Sequence, residues 1–371
     1  MNKLLTIAAV AVVVISTGIP IFLSEVIGGW TKKYTSPVYF TPSKIQDLTD
    51  KVAIVTGSNT GIGYHTALEL ARAGATVIVA ARSETKGKDA VKKIQNEVTN
   101  AKVQFLPLDL ASLDSVSNFS RLFNNLDIPL HMLILNAGVM KSPGEVFVGR
   151  RLDYGFETTS DGFEYHIGVN HIAHAYLTEL MLPNLKNNAP SRIISVSSMA
   201  EQGAPDIGMR FGDWWLPRDA VIPNDYEDGV AYGQSKLANI MYAKELSKTL
   251  NGTGVSVYSL HPGVITTELS RYMEPVILEG VQEQGTLVSI MFKLFGTLFQ
   301  MSNFDSKGGS LTSLYLATAS EDELMNGAFY HPIGKLVEPT HPQGSNETLA
   351  RMLVEETEKA ILQRSNYSYT G

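Results

Sequence analysis

The sequence predicts an α/β fold built on one doubly wound parallel sheet, preceded by an N-terminal transmembrane helix. Three observations carry this expectation. Short apolar runs alternate with helix-patterned stretches from residue 51 to about residue 262. The first run breaks into a glycine turn, and residues 4–24 carry no charge. Apolar strands alternating with helices mean a parallel sheet covered on both faces.

Leu4 to Ser24 lies between Lys3 and Glu25 and is centred on Ile7-Ala8-Ala9-Val10-Ala11-Val12-Val13-Val14-Ile15. About 20 apolar residues in a helix span a hydrocarbon core of ~30 Å. A cleaved signal peptide is the alternative, with Ser16-Thr17-Gly18 as its cleavage site. Apolar residues resume at Ile19-Pro20-Ile21-Phe22-Leu23, however, so an uncleaved anchor over 1–24 is the better reading. Lys32 and Lys33 follow the segment, which leans towards a cytosolic body. Residues 25–50 read as a connector, broken by Gly28, Gly29, Pro37 and Pro42.

From residue 51 to 371 the chain reads as one domain. Val52-Ala53-Ile54-Val55 is the first strand, and a helix pattern follows over Gly63–Ala73, stopped by Gly74. Thr76-Val77-Ile78-Val79-Ala80 is the second strand. A charged helix over Glu84–Val98 leads to Val103-Gln104-Phe105-Leu106, and a helix over Ser112–Leu126 leads to Met132-Leu133-Ile134-Leu135. Arg192–Val196 and Val255–Leu260 complete at least six strands before residue 262. Composition narrows the chemistry. No cysteine among 371 residues excludes disulfides, thiol nucleophiles and cysteine metal sites. A net charge of −7 argues against nucleic acid as a partner. His166, His171 and His174 share a helix, but no zinc motif surrounds them, and no metal is expected.

The first strand runs into Thr56-Gly57-Ser58-Asn59-Thr60-Gly61-Ile62-Gly63. Glycines at a strand–helix junction let backbone approach a pyrophosphate, and the helix N-terminus directs N–H groups at it. That placement reads as a dinucleotide turn of the Rossmann type. At the end of the second strand a carboxylate would bind the ribose 2′-hydroxyl of NAD. Ala80-Ala81-Arg82-Ser83 has none there, and Arg82 suits a 2′-phosphate, so NADP(H) is the expected cofactor. Further on, Tyr232-Gly233-Gln234-Ser235-Lys236 sets a tyrosine and a lysine at i and i+4, on one helix face. A lysine ammonium beside a phenol is expected to lower the tyrosine pKa and make it a usable proton donor and acceptor.

These pieces, with Leu108-Asp109-Leu110, Leu135-Asn136-Ala137-Gly138, Val169-Asn170, Val196-Ser197-Ser198 and His261-Pro262-Gly263, come in one order along the chain. Over about residues 50–265 the sequence resembles the short-chain dehydrogenase/reductase family. Ala81-Arg82, Tyr232–Asn239 and His261-Pro262-Gly263-Val264 look most like its retinol-dehydrogenase-like branch, which includes the oxidoreductase domain of WW-domain-containing oxidoreductases. The resemblance implies Tyr232 as general acid in reduction and base in oxidation. It implies Lys236 on that tyrosine and on the nicotinamide ribose, Ser198 on the substrate oxygen, and Asn170 anchoring a water that relays protons to Lys236. Asp109 would lie against the adenine, and Asn136, Ala137 and Gly138 beside the cofactor. Pro262, Gly263 and Thr267 would flank the carboxamide. Ser197 is the alternative catalytic serine, though counting within the motif favours Ser198.

Two features depart from the family pattern. Leu135 stands where the family doubles its asparagine, and an unusually long loop, 199–231, separates Ser198 from Tyr232. That loop and the segment 268–306 are expected to set the shape of the substrate pocket; Trp214-Trp215 either line an apolar pocket or cap the loop, and the apolar stretch 287–301 reads as a core helix, with a lid that meets lipid as the alternative. The implied activity is interconversion of a lipophilic carbonyl and its alcohol, such as retinal and retinol, on a membrane-anchored enzyme, in the endoplasmic reticulum if the source is eukaryotic. Steroid, lipid or pigment carbonyls and a non-catalytic nucleotide-sensing scaffold are the alternatives, and a homo-oligomer stays open.

Overall fold

The structure is a computed structural model that describes residues 40–140, 157–212, 215, 226–263, 265 and 304–365. The expected anchor over 1–24, Trp214, Thr267 and the apolar stretch 287–301 lie outside the described residues. Among the described residues no helix is long and apolar enough to cross a membrane.

The six expected strands form where the apolar runs stand: β1 (Val52–Thr56), β2 (Thr76–Ala81), β3 (Val103–Pro107), β4 (Met132–Leu135), β5 (Ser191–Val196) and β6 (Val255–Leu260). Two short strands follow, β7 (Phe329–His331) and β8 (Lys335–Val337). The sheet order is β3-β2-β1-β4-β5-β6-β7-β8, parallel up to β7, with β8 antiparallel on the edge. The helices are α1 (Gly61–Arg72), α2 (Glu84–Glu97), α3 (Leu113–Asn124), α4 (Ala173–Asn187), α5 (Asp228–Thr249), α6 (Ser306–Thr318) and α7 (Glu347–Arg364). Side-chain caps start several of them: Ser83 on α2, Ser112 on α3, Asp305 on α6 and Asn346 on α7 each accept a backbone N–H.

Strand periodicity sorts the core into two layers. Ile54, Ile78, Leu133, Ile193 and Val257 face α3, α4, α5 and α7. Ala53, Val55, Val77, Val79, Ile134, Ile194 and Tyr258 face α1, α2 and α6. Every residue of β1 and β4 is buried, which is why these strands read as continuous apolar runs rather than as alternation. Residues 40–50, in the expected connector, pack on this body. Phe40 is buried with its ring 5.5 Å from that of Tyr315, and the Leu48 amide donates to Ala73 O at 2.7 Å.

The sheet order reverses between β1 and β4, so their carboxyl ends leave a crevice with no crossover above it. In open α/β sheets that crevice is where ligands bind. The glycine turn leaves β1 there, and Asn136-Ala137-Gly138 leaves β4 there.

Candidate active site

The residues singled out by sequence converge on this crevice. Thr56, the last residue of β1, sends its hydroxyl across to β4, where Oγ1 accepts the amides of Asn136 and Ala137, both at 2.9 Å. Asn136 returns the bond, its Nδ2 donating to Thr56 O at 2.8 Å. The glycines are needed for this closure. A Cβ on Gly63 would stand 2.5 Å from Asn136 Nδ2 and 2.7 Å from Gly57 O, and one on Gly57, at φ +65°, would stand 2.9 Å from Ala137 Cα. Ser58 is buried and donates to Val55 O at 2.6 Å, which tightens the turn.

This turn suits a dinucleotide phosphate. Thr60 begins α1 without a side-chain cap, so the first-turn N–H groups and the positive end of the helix dipole keep no side-chain acceptor. Gly61, at φ +61°, presents backbone to open space, where an added Cβ would come no nearer to a neighbour than 4.0 Å, at Ser306 Oγ. Arg82 follows β2 directly and is exposed at the same sheet end, with Nη1 3.4 Å from the Tyr165 hydroxyl. Asp109 holds the turn before α3, its Oδ1 accepting the Ala111 amide at 3.0 Å and its own amide donating to Ser115 Oγ at 2.9 Å. Pro262 and Gly263 leave β6 at this end. Gly263 adopts φ +100°, and a Cβ there would meet Phe304 at 2.7 Å.

Ser198 follows β5, and α5 carries Tyr232 and Lys236 past it. Ser198 stands beside Tyr232, and its side chain acts on the phenol to lower its pKa. Ser197 is turned away, its hydroxyl donating to Lys236 O at 2.6 Å, so only Ser198 meets the tyrosine. Lys236 Nζ donates to Val196 O at 3.2 Å and lies 5.7 Å from the Tyr232 ring centroid. A Cβ on Gly138 would stand 3.2 Å from Nζ, so glycine leaves the ammonium its room.

The expected lowering of the Tyr232 pKa is not what this packing produces. Burial pushes the phenol up to about 12, opposed only by the Ser198 hydrogen bond. Burial also pulls Lys236 down to about 8. The ammonium sits over the face of the ring and is spent on a backbone carbonyl, while desolvation acts on the whole phenol. In this arrangement the Tyr232 phenol is held protonated.

Asn170 sits in a π-helical turn, Gly168–Ile172, immediately before α4. The wider turn aims its fully buried side chain at the crevice. Its Oδ1 accepts the Val139 amide at 2.8 Å, and its Nδ2 donates to Val139 O at 3.0 Å and to Ser235 Oγ at 2.9 Å. Asn170 thereby ties the end of β4 to α5. Its backbone carbonyl accepts from His174 Nδ1 at 3.1 Å.

Sequence reasoning passed over two links. His174, read as an ordinary helix histidine, joins Asn170 to Thr56. With Nδ1 donating to a carbonyl, Nε2 accepts the Thr56 hydroxyl at 3.0 Å. Burial, with Lys236 nearby, pulls this imidazole down to about 4, so it is neutral. The second link is Glu164, a fully buried carboxylate in the turn before Asn170. Its signal was an acid within Phe163-Glu164-Tyr165-His166-Ile167, where every neighbour is apolar or aromatic. His171 is likewise buried, with Nε2 2.8 Å from Thr357 Oγ1 on α7. Trp215 packs into the core, its ring 5.0 Å from Phe211 and 6.0 Å from His171.

Comparison with known proteins agrees with this architecture. A family model described as short chain dehydrogenase matches residues 51–208. An uncharacterised oxidoreductase of Schizosaccharomyces pombe is 40% identical over 82% of this chain and 84% of its own length. Mouse retinol dehydrogenase 12 is 38% identical over 76% of this chain and 77% of its own. Human retinol dehydrogenase 13 is 38% identical over 86% and 87%. Among solved structures, an uncharacterised protein from Mycobacterium paratuberculosis superposes with a TM-score of 0.62 at 28% identity, covering 86% of this chain and 97% of that one. L-sorbose reductase from Gluconobacter frateurii, solved with NADPH and L-sorbose, shares the fold with a TM-score of 0.58 at 18% identity, covering 78% and 98%.

Proposed function

The chain belongs to the short-chain dehydrogenase/reductase family, on its retinol-dehydrogenase-like branch, and on that premise we propose that it interconverts a lipophilic carbonyl, such as retinal, and its alcohol with NADP(H). The observation that carries the reading is the contact of Tyr232 with Ser198 beside Lys236, at the sheet end where the glycine turn lies. Ser198 donates a hydrogen bond to the substrate oxygen as negative charge develops there. Tyr232 delivers its proton to that oxygen in reduction and recovers it in oxidation. Lys236 would hold the nicotinamide ribose, and Asn170 would anchor a water on the path that restores the Tyr232 proton. A bound nicotinamide would supply the hydride chemistry, giving hydride in reduction and accepting it in oxidation.

Arg82, standing where an NAD enzyme of this fold carries a carboxylate, supports NADP(H) over NAD(H). The uncharged segment 4–24 supports a single-pass anchor, with the body on the cytosolic side. Steroid, lipid or pigment carbonyls are the neighbouring substrate classes. The intact Ser198–Tyr232 contact speaks against a non-catalytic scaffold.

The test is a panel of lipophilic aldehydes, ketones and alcohols in detergent, with NADPH and NADH compared. Turnover with NADPH preferred is expected. Replacing Tyr232 with Phe is expected to cut kcat/KM by about 10²–10⁴-fold, with NADPH affinity retained. Inertness of the wild-type chain towards every lipophilic carbonyl refutes the substrate class, and full activity in the Tyr232→Phe variant refutes the mechanism.

A further inference from the structure

Glu164 is 1% exposed and fully occupied. Its Oε1 accepts the His166 amide at 2.9 Å, His166 Nδ1 at 2.7 Å and the Tyr226 hydroxyl at 2.8 Å. Its Oε2 accepts the Ile167 amide at 2.8 Å, and its own amide donates to Trp215 O at 2.9 Å. Burial by itself would raise this carboxyl, but His166 and the backbone N–H groups around it hold it below its ordinary value. It is an ionised acceptor.

A carboxylate starting one helical turn needs only the two backbone bonds, and an exposed serine or aspartate makes those at far less desolvation cost. The other three contacts have a pattern. Trp215 and Tyr226 both belong to the 199–231 connection that runs from Ser198 to Tyr232, so two points of that connection are fastened to one residue. Tyr226 also reaches Asp228 Oδ1 at 3.2 Å, at the start of the helix that carries Tyr232. His166, oriented by Glu164, lays its ring against the catalytic tyrosine, with centroids 6.0 Å apart and planes at 70°.

We propose that Glu164 is a positioning residue that clamps the substrate-side connection, through Tyr226 and the Trp215 backbone, against the Tyr232 ring through His166. This rests on the carbonyl–alcohol reading above. The clamp acts on how the substrate wall meets Tyr232, because among the described residues its contacts run to the 199–231 connection, to α5 and to His166 and Ile167. A clamp and a plain helix cap therefore differ in what a distant hydroxyl deletion does.

Tyr226→Phe in the full chain removes only that hydroxyl. It is expected to raise KM for the accepted carbonyl about tenfold, as the loss of one charge-assisted bond implies, with kcat and NADPH Kd within about twofold. Hydrogen exchange of the Glu164 amide, which the Trp215 carbonyl protects, is expected to quicken by about tenfold. Glu164→Gln, which keeps an acceptor for Tyr226, is expected to shift KM less than Glu164→Ala. Unchanged KM, unchanged exchange of the Glu164 amide, or a parallel loss of NADPH affinity overturns the clamp. A wild-type chain that turns over no carbonyl sinks the reaction instead, and the exchange measurement still decides the clamp, so the two failures are separable.

Discussion

Lys236 shows how far a residue's chemistry departs from its spacing. The i, i+4 placement beside Tyr232 was legible, because helical geometry alone sets which face two residues share. The direction of the tyrosine pKa was not, because it depends on how much water the packed core leaves around the phenol. The same burial has a measurable consequence for the lysine. Folded Lys236 releases its proton near pH 8 and the unfolded residue near 10.5. Below pH 8 both states hold the proton, and the cost of burying the charge is fully present. Between the two values the unfolded chain holds more protons, so rising pH stabilises the folded wild type relative to Lys236→Met. Denaturant unfolding of the pair at pH 7.5 and at pH 10.5 is expected to show the wild type gaining about 3 kcal/mol. A stability difference that stays flat across that range refutes the buried-charge account. Activity is expected to be lost in the variant while its stability at pH 7.5 is retained, which separates a functional residue from a structural one.

At the scale of elements, the glycine turn is the most constrained piece. Gly63 has an ordinary helical backbone, so a sequence pattern can justify it only by analogy. The structure supplies the reason, since an added Cβ meets the Asn136 side chain and the Gly57 carbonyl at once. Gly63→Ala is expected to cost about 1–3 kcal/mol as overpacking against backbone and to weaken NADPH binding, read by calorimetry. Unaltered melting with unaltered affinity contradicts the packing assigned to this turn. The elements that escaped sequence reading include two regular helices, α6 and α7, beyond the strand series that was read, and several short or irregular pieces. β7 and β8 have three residues each, too few for a period to emerge, and they form because β6 leaves an edge for Phe329 and Tyr330 to pair with. The π-helical turn at Gly168–Ile172 adds no distinctive composition, yet it directs the Asn170 side chain towards Val139 and Ser235.

At the scale of the molecule, distant segments are fastened to the site. Glu201, three residues past Ser198, accepts the amides of Thr340 and His341 at 2.9 and 3.0 Å. His171, next to Asn170, meets Thr357 on α7. The C-terminal quarter of the chain thus braces both the serine turn and the asparagine turn, a role that no motif announces. The N-terminus makes a different prediction. The catalytic body packs from Phe40 onward, so removing residues 1–24 is expected to move the protein from the membrane to the soluble fraction with kcat within about twofold, since no residue assigned to the site is lost. A truncated chain that still sediments with membranes rejects the anchor.

The sequence by itself determined the strand series, the crevice where the glycine turn meets Asn136, the serine pair after the fifth strand, and the placement of Tyr232 and Lys236 on one helix face. These follow from local periodicity and short-range spacing, which the chain carries with it wherever it folds. Only the tertiary structure decided that Ser197 is turned away from the tyrosine, that burial outweighs the pull of Ser198 at Tyr232, and that Glu164 and His174 join pieces far apart in sequence. Each of these turns on desolvation or on hydrogen bonds between distant segments, and both are properties of the packed molecule with no periodicity to leave in the chain.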